Sequence, residues 1–170
     1  MIKRSISNFH KMKPILLFLT TILTLHCSTL DAPVELAANS NSPQTMLEAV
    51  NDLRSRGCRC GLKRMPPVPP LSWDNRLQQA AQRHAKDMAQ QGFFSHQGSD
   101  DSNVSTRARD AGFAWKNIGE NIAYNYPDAA AVVAGWQESP PHCRNMMSAD
   151  FRQMGAAVYG GYWVQVLGQE

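Results

Sequence analysis

Long apolar runs are scarce in this chain of 170 residues. The longest, Ile15 to Leu25, holds eleven residues interrupted by threonines, whereas a helix needs about 20 apolar residues to cross a bilayer. Nothing later is longer, so no membrane span is expected in the mature chain. A positive surplus is missing too. The formal charge is +3, but Lys3, Arg4, Lys11 and Lys13 supply four of the 17 basic residues, and no acidic residue precedes Asp31. Thirteen basic and 14 acidic side chains remain beyond that point. This balance excludes the basic stripe of a nucleic-acid binder. Internal repeats and low-complexity tracts are absent. So are a His-Glu-x-x-His pair, a Cys-x-x-Cys pair, and a Gly-x-Ser-x-Gly elbow around Ser139, the signatures that announce common metal and nucleophile sites.

Basic residues before a short apolar run, followed by small and polar residues, are the layout of a secretory signal peptide. Residues 1–30 are therefore expected to be a targeting segment, with Met12 as an alternative start, and residues 31–42 a linker. Thr24 and His26 are poor surroundings for lipid attachment at Cys27, so a lipoprotein anchor is not expected. The product would be secreted, periplasmic or held at the cell envelope. About 140 residues then remain, enough for one core and too few for two domains. Of the four cysteines, Cys58, Cys60 and Cys143 survive cleavage. An oxidising compartment allows one bridge and one leftover thiol. A bridge from either Cys58 or Cys60 to Cys143 would tie the end of the first helix to a polar motif downstream.

Ser42-Pro43 opens a helix with Met46, Leu47, Val50 and Leu53 on one face and Arg54 beside them, closed by Gly57. The proline-rich run Cys58 to Pro70 reads as an ordered crossing loop. Leu71-Ser72-Trp73-Asp74 begins a second helix, with Leu77, Ala80, Ala81, His84, Ala85 and Met88 on its buried face and Gly92 as its stop. Its three alanines imply a close neighbour, and its His84 reads as a packed structural histidine. Ser102 to Ala111 suits a short helix with Arg107 and Arg109 outward. Phe113 and Trp115 would then anchor an irregular stretch presenting Gly119 to Ala123. Asp128 precedes a further helix carrying Ala129, Val132, Val133 and Trp136, and a helical turn over Arg144 to Met147 follows the two prolines. Met154 to Tyr159 and Tyr162 to Leu167 flank Gly160-Gly161, a hairpin signal. Helices followed by a terminal hairpin argue for an α+β fold.

Polar groups crowd the stretch Gly135 to Met147, where Glu138, Ser139, His142, Cys143 and Asn145 fall within eight residues around Pro140 and Pro141. His96 and Glu120 lie in similarly breaker-rich surroundings. The expectation is that His96, Glu120, Glu138 and His142 meet in one cleft, with Ser139, Asn121 and Asn145 as its support. Two imidazoles can hold zinc or another divalent cation, with carboxylate or water completing the shell. Alternatively a carboxylate orients an imidazole that moves protons near neutral pH. The histidines are 46 residues apart, so spacing by itself does not choose. Ser139 is a poor nucleophile, being followed by two prolines.

Several short motifs occur in a telling order: Asn51-Asp52-Leu53-Arg54, Leu71 to Asp74, the His84-Ala85 helix, Phe94-Ser95-His96, Gly119 to Ala123, Trp136 to Met147, and the strands from Gly155 to Leu167. Together they resemble bacterial members of the CAP superfamily, the SCP-like domain shared by cysteine-rich secretory, antigen 5 and pathogenesis-related 1 proteins. The resemblance spans about Thr45 to Gly168 and places the domain at residues 43–168. It implies a three-layer α-β-α sandwich with a central antiparallel sheet of three or more strands. It also implies a cleft lined by His96, Glu120, Glu138 and His142, with His96 and His142 as ligands where a metal is bound. Two positions depart from the bacterial pattern, Pro141 and Asp101 each standing where glycine is usual. The first would stiffen the His142 loop, and the second would be a surface matter.

Three functions follow as expectations. The preferred one is a secreted protein whose cleft binds a divalent cation, and can hold a small apolar or peptidic ligand, with no established catalysis. Another is a metal-assisted hydrolase using Glu120 or Glu138 with His96 and His142. A third is a sterol-, lipid- or protein-binding module with no chemistry.

Overall fold

The computed structural model describes residues 42–170. The signal segment, the linker up to residue 41, Cys27 and the choice between Met1 and Met12 lie outside the described residues.

Helix α1 (Pro43–Arg56) starts where the Ser42 hydroxyl accepts the Thr45 amide and ends at Gly57, whose φ is 69°. Met46, Val50 and Leu53 are buried, and Arg54 is buried with them. Its guanidinium donates to the carbonyls of Pro69, Met146 and Ser148 at 2.8, 2.7 and 2.9 Å. Burial, with Arg152 nearby, pulls Arg54 down to about 10, which leaves it charged at neutral pH. An arginine beside an apolar stripe is thus a tie between three segments.

The run expected as a loop contains a small antiparallel hairpin, β1 (Cys58–Cys60) and β2 (Lys63–Met65). Strands of three residues are too short for alternation to reveal. Ser72–Trp73 is also extended, as β3, so α2 (Asn75–Gln91) begins later than expected, with Asp74 accepting the Arg76 and Leu77 amides. Gly92, in the left-handed region, stops it. The next elements are α3 (Val104–Asp110), β4 (Asn117–Tyr124), α4 (Ala129–Glu138), α5 (Pro140–Met146), β5 (Gln153–Tyr159) and β6 (Tyr162–Gln169). Gly160 and Gly161 take φ of 56° and 83° between the last two strands, angles that side chains with a Cβ resist.

The main sheet has the order β3-β5-β6-β4. Its pairs are antiparallel except for the short β3–β5 contact. Residues alternate between two cores. Met154, Ala156, Trp163 and Leu167 pack with α1, α4 and α5 on one face. Ala157, Val164 and Val166 pack with Leu77, Ala81 and Ala85 of α2 and Ala108 of α3 on the other. This is the α-β-α sandwich, with four strands where periodicity exposed two. Gly119 to Ala123, expected to be irregular, lies in β4 at the sheet edge. Its glycine and polar residues mask the alternation that marks a strand.

The small face of α2 permits an unusually near approach to the sheet. A methyl group at Gly155 would collide with the backbone of Leu77 and Gln78. Gly155→Ala is therefore expected to cost about 2–3 kcal/mol by overpacking, read as a lowered urea midpoint. An unchanged midpoint would contradict this packing. No helix among the described residues is long and apolar enough to cross a membrane.

Candidate functional site

Because side chains alternate along a strand, Glu120 and Asn121 of β4 point to opposite faces of the sheet. The two residues engage different segments. On one face, a Glu120 Oε1 accepts His96 Nδ1 at 2.8 Å, and its Oε2 accepts Arg107 Nη2 at 2.7 Å. On the other, Asn121 Nδ2 donates to the His142 carbonyl at 3.2 Å and to Gln165 Oε1 at 2.9 Å. Asn145 Nδ2 donates to Asn121 Oδ1 at 2.9 Å. One edge strand therefore grips the His96 loop from one side and the His142 helix from the other.

Arg107 corrects an expectation. It is not outward: its side chain is 1 % exposed and that of Glu120 is 2 % exposed. It also donates to the carbonyls of Ser102 and His96 at 2.9 and 3.1 Å. A buried carboxylate demands a cation, and Arg107, on the short helix packed over β4, provides one. Arg109 remains exposed and stacks over the Trp115 ring. Nothing in the sequence marked Arg107, because the need for it follows from the burial of Glu120.

The His96 ring is largely exposed. A carboxylate paired with a guanidinium offers acceptors only, so His96 Nδ1 donates to it, and the protein leaves Nε2 unengaged. His142 is the third residue of α5. Pro140 and Pro141 occupy the first turn, where a missing amide hydrogen costs nothing, so the helix starts before the expected Arg144. The Ser139 hydroxyl does not cap it; it meets His142 Nδ1 at 2.9 Å. Burial, then the charge of nearby His96, lowers the pKa of His142, which favours the neutral imidazole. Asp101 adopts φ 61°, a left-handed angle that explains why glycine suits that position and that aspartate tolerates.

Glu138 enters none of these bonds. It is exposed at the end of α4, and no hydrogen bond or ion pair joins it to His96, Glu120 or His142. An open pocket of about 400 Å³ lies against His96 and Glu120, walled by Gln97, Asp101, Asn103 and Val104.

His84 braces the site from beneath. It is fully buried, its Nε2 donates to the Ser95 carbonyl at 2.8 Å, and the same nitrogen lies 3.9 Å from Glu120. Burial lowers its pKa from the ordinary 6.5. Just below 6.5 the unfolded chain therefore binds more protons than the native one. The stability His84 contributes is whole above about 6.5 and is lost as pH falls through its depressed native pKa. A His84→Gln variant, which keeps a donor to Ser95, is expected to show a flatter decline in urea midpoint between pH 7 and 5. A decline as steep as wild type would refute this.

The cysteines lie behind α5. Cys60 and Cys143 form a disulfide with Cα atoms 5.4 Å apart. Cys58 is free, with its Sγ 3.6 Å from Cys143 Sγ and 3.9 Å from Cys60 Sγ. The bridge pins β1 to the helix that carries His142.

Residues 47–167 match the family described as the cysteine-rich secretory protein family, CAP. The chain belongs to the CAP family. Among curated relatives, it is 33% identical over 95 residues to the uncharacterized membrane protein YlbC of Bacillus subtilis, covering 56% of this chain and 28% of that protein. It is 29% identical over 100 residues to the uncharacterized protein YkwD of the same organism, covering 58% and 39%. This CAP chain thus spans about a third of the length of the curated relatives it matches. Its fold is similar to that of an extracellular protein containing an SCP domain from Bacillus anthracis, with a TM-score of 0.67, 28% identity and coverage of 75% of this chain and 40% of that one.

Proposed function

We propose that this is a secreted or envelope-associated CAP protein whose edge-strand site binds a divalent cation through His96 and His142, beside a pocket for a small apolar or peptidic ligand. One observation carries the proposal: the protein engages Nδ1 of both rings, with Glu120 on one and Ser139 on the other, and this leaves both Nε2 atoms for a ligand. A carboxylate on the far nitrogen fixes the tautomer and strengthens a histidine as a metal ligand, and metal binding requires the neutral ring that burial favours at His142.

The donor set suits an open site. Among the described residues, the group of three or more His, Cys, Asp or Glu with ligand atoms within 4.8 Å of one another is the cysteine cluster. The two imidazoles would thus share a cation with water or a bound ligand, and zinc, which favours nitrogen donors, fits such a shell. A bound cation would supply a positive centre able to polarise a ligand oxygen. Glu120, held by Arg107 and His96, acts as a positioning group. A hydrolytic function would have to use the unengaged Glu138.

Calorimetric zinc titration, carried out in a Cys58→Ser background so that no free thiol competes, tests the proposal. Binding is expected to weaken at least tenfold in both His96→Ala and His142→Ala. Equal binding by all three proteins would remove the cation site.

A further inference from the structure

The sulfur cluster lies apart from the histidine site and has chemistry of its own. The two bridged sulfurs belong to residues that are 1 % and 0 % exposed, so small molecules cannot reach them directly. Cys58 is only half-buried, lies within 4 Å of both, and lines an open pocket of about 590 Å³. Arg56, Arg59 and Arg64 line the same pocket, whose rim includes Pro66 and Pro67. Arg56 is paired with Asp52 at 2.6 Å. Arg59 and Arg64 are not paired with any acidic side chain among the described residues, yet they stand directly opposite each other in the hairpin. Like charges directly opposite across two strands are destabilising. Arg59 alternates to the hairpin face opposite Cys58, and its Nη2 donates to the Leu62 carbonyl at 3.4 Å. Both arginines nevertheless line the pocket onto which Cys58 also opens, and a pair of guanidinium groups there suits a ligand that carries carboxylates.

We propose that Cys58 is the entry sulfur through which an anionic low-molecular-weight disulfide oxidises the buried Cys60 and Cys143 thiols, with Arg59 and Arg64 holding the reagent's carboxylates. In the first step the Cys58 thiolate attacks one sulfur of the reagent, whose S–S bond breaks. A mixed disulfide forms on Cys58 and one small thiolate leaves. The Cys143 thiolate then attacks Cys58 Sγ and expels the second small thiolate, giving a Cys58–Cys143 bridge. Finally the Cys60 thiolate attacks Cys143 Sγ and releases Cys58 as a thiolate. Two protein thiols are oxidised, one disulfide is reduced to two small thiols, and the protons pass from the protein thiols to those products. The end state is the observed one, a Cys60–Cys143 bridge beside a free Cys58, and it gives the third cysteine among the described residues a role. Burial raises the Cys58 thiol pKa, an effect partly offset by Arg56. The first step should therefore quicken as pH rises from 7 to 9.

The test reduces the full chain with a thiol reductant, removes the reductant, and supplies oxidised glutathione, which is anionic, or cystamine, which is cationic. Samples quenched by alkylation are read by mass spectrometry. With glutathione the transient adduct is expected on Cys58. Cys58→Ser is expected to re-form the bridge at least tenfold more slowly, with an unchanged final thermal midpoint. Arg59→Ala combined with Arg64→Ala is expected to slow the glutathione reaction several-fold and to spare the cystamine reaction. A Cys58→Ser rate equal to wild type, an adduct on Cys60 or Cys143, or equal slowing with both reagents would overturn the proposal. Should reduction unfold the chain, the adduct rate on Cys58 of the native, bridged protein gives the same comparison. There, loss of the glutathione preference in the arginine variant supports the proposal, and an unchanged preference overturns it.

Discussion

Arg107→Ala is expected to destabilise the protein by about 3–5 kcal/mol, because removing one member of a buried ion pair leaves the other charge uncompensated. Glu120 would keep only the exposed His96 as a side-chain hydrogen-bond partner, the His96 carbonyl would lose the Arg107 donor, and the Ser102 carbonyl would keep only the Gly98 amide. Urea denaturation reads the stability. Zinc titration of the still-folded variant at low temperature should also show weakened binding, since the His96 loop loses its anchor. Replacing the pair together, as Arg107→Met with Glu120→Leu, is expected to recover much of the stability, because shape is preserved and no buried charge remains. It should not recover cation binding, because His96 Nδ1 has lost its carboxylate. A single-variant cost below 1 kcal/mol would mean that water reaches this pair.

Cys143→Ser carries the second large effect. The bridge it removes closes a sequence separation of 83 residues. In the chain-entropy account, a loop of that length is worth about 4.5 kcal/mol. Cys60→Ser is expected to cost clearly less, because Cys58 Sγ lies 3.6 Å from Cys143 Sγ and can take the vacant place. Denaturation midpoints of the two variants, with peptide mapping of the bridge in Cys60→Ser, check this. Equal losses would show that Cys58 cannot substitute, and no loss in Cys143→Ser would show that the bridge is energetically idle.

Several elements were legible because their signals are local. Ser42-Pro43 and Asp128 mark helix starts through a side-chain oxygen that meets an amide within one turn. Gly92 marks a stop through its backbone angle. The alternation of Tyr162, Val164 and Val166 with Trp163 and Leu167 assigned residues to two faces, and the two cores divide along that line. β1, β2 and β3 were not legible, since two or three residues cannot show a period. β4 was hidden because Gly119, Glu120 and Asn121 are atypical of a strand. On this edge strand Glu120 and Asn121 bond to His96, Arg107, Gln165 and the His142 carbonyl instead of supplying an alternating apolar face.

The sequence by itself marked three residues of the candidate site and the polar motifs on the segments that bear them: His96 after a helix stop, Glu120 between glycine and asparagine, and His142 behind two prolines. Only the tertiary structure decided that Arg107 turns inward, that Glu138 stays exposed, that Arg54 is buried, and which two of three sulfurs are joined. The first kind of information is carried by interactions within about one helical turn or one strand period. The second is a choice among groups far apart in the chain, made when the sheet brings them within bonding distance and burial forces each charge and thiol to find a partner or remain in water.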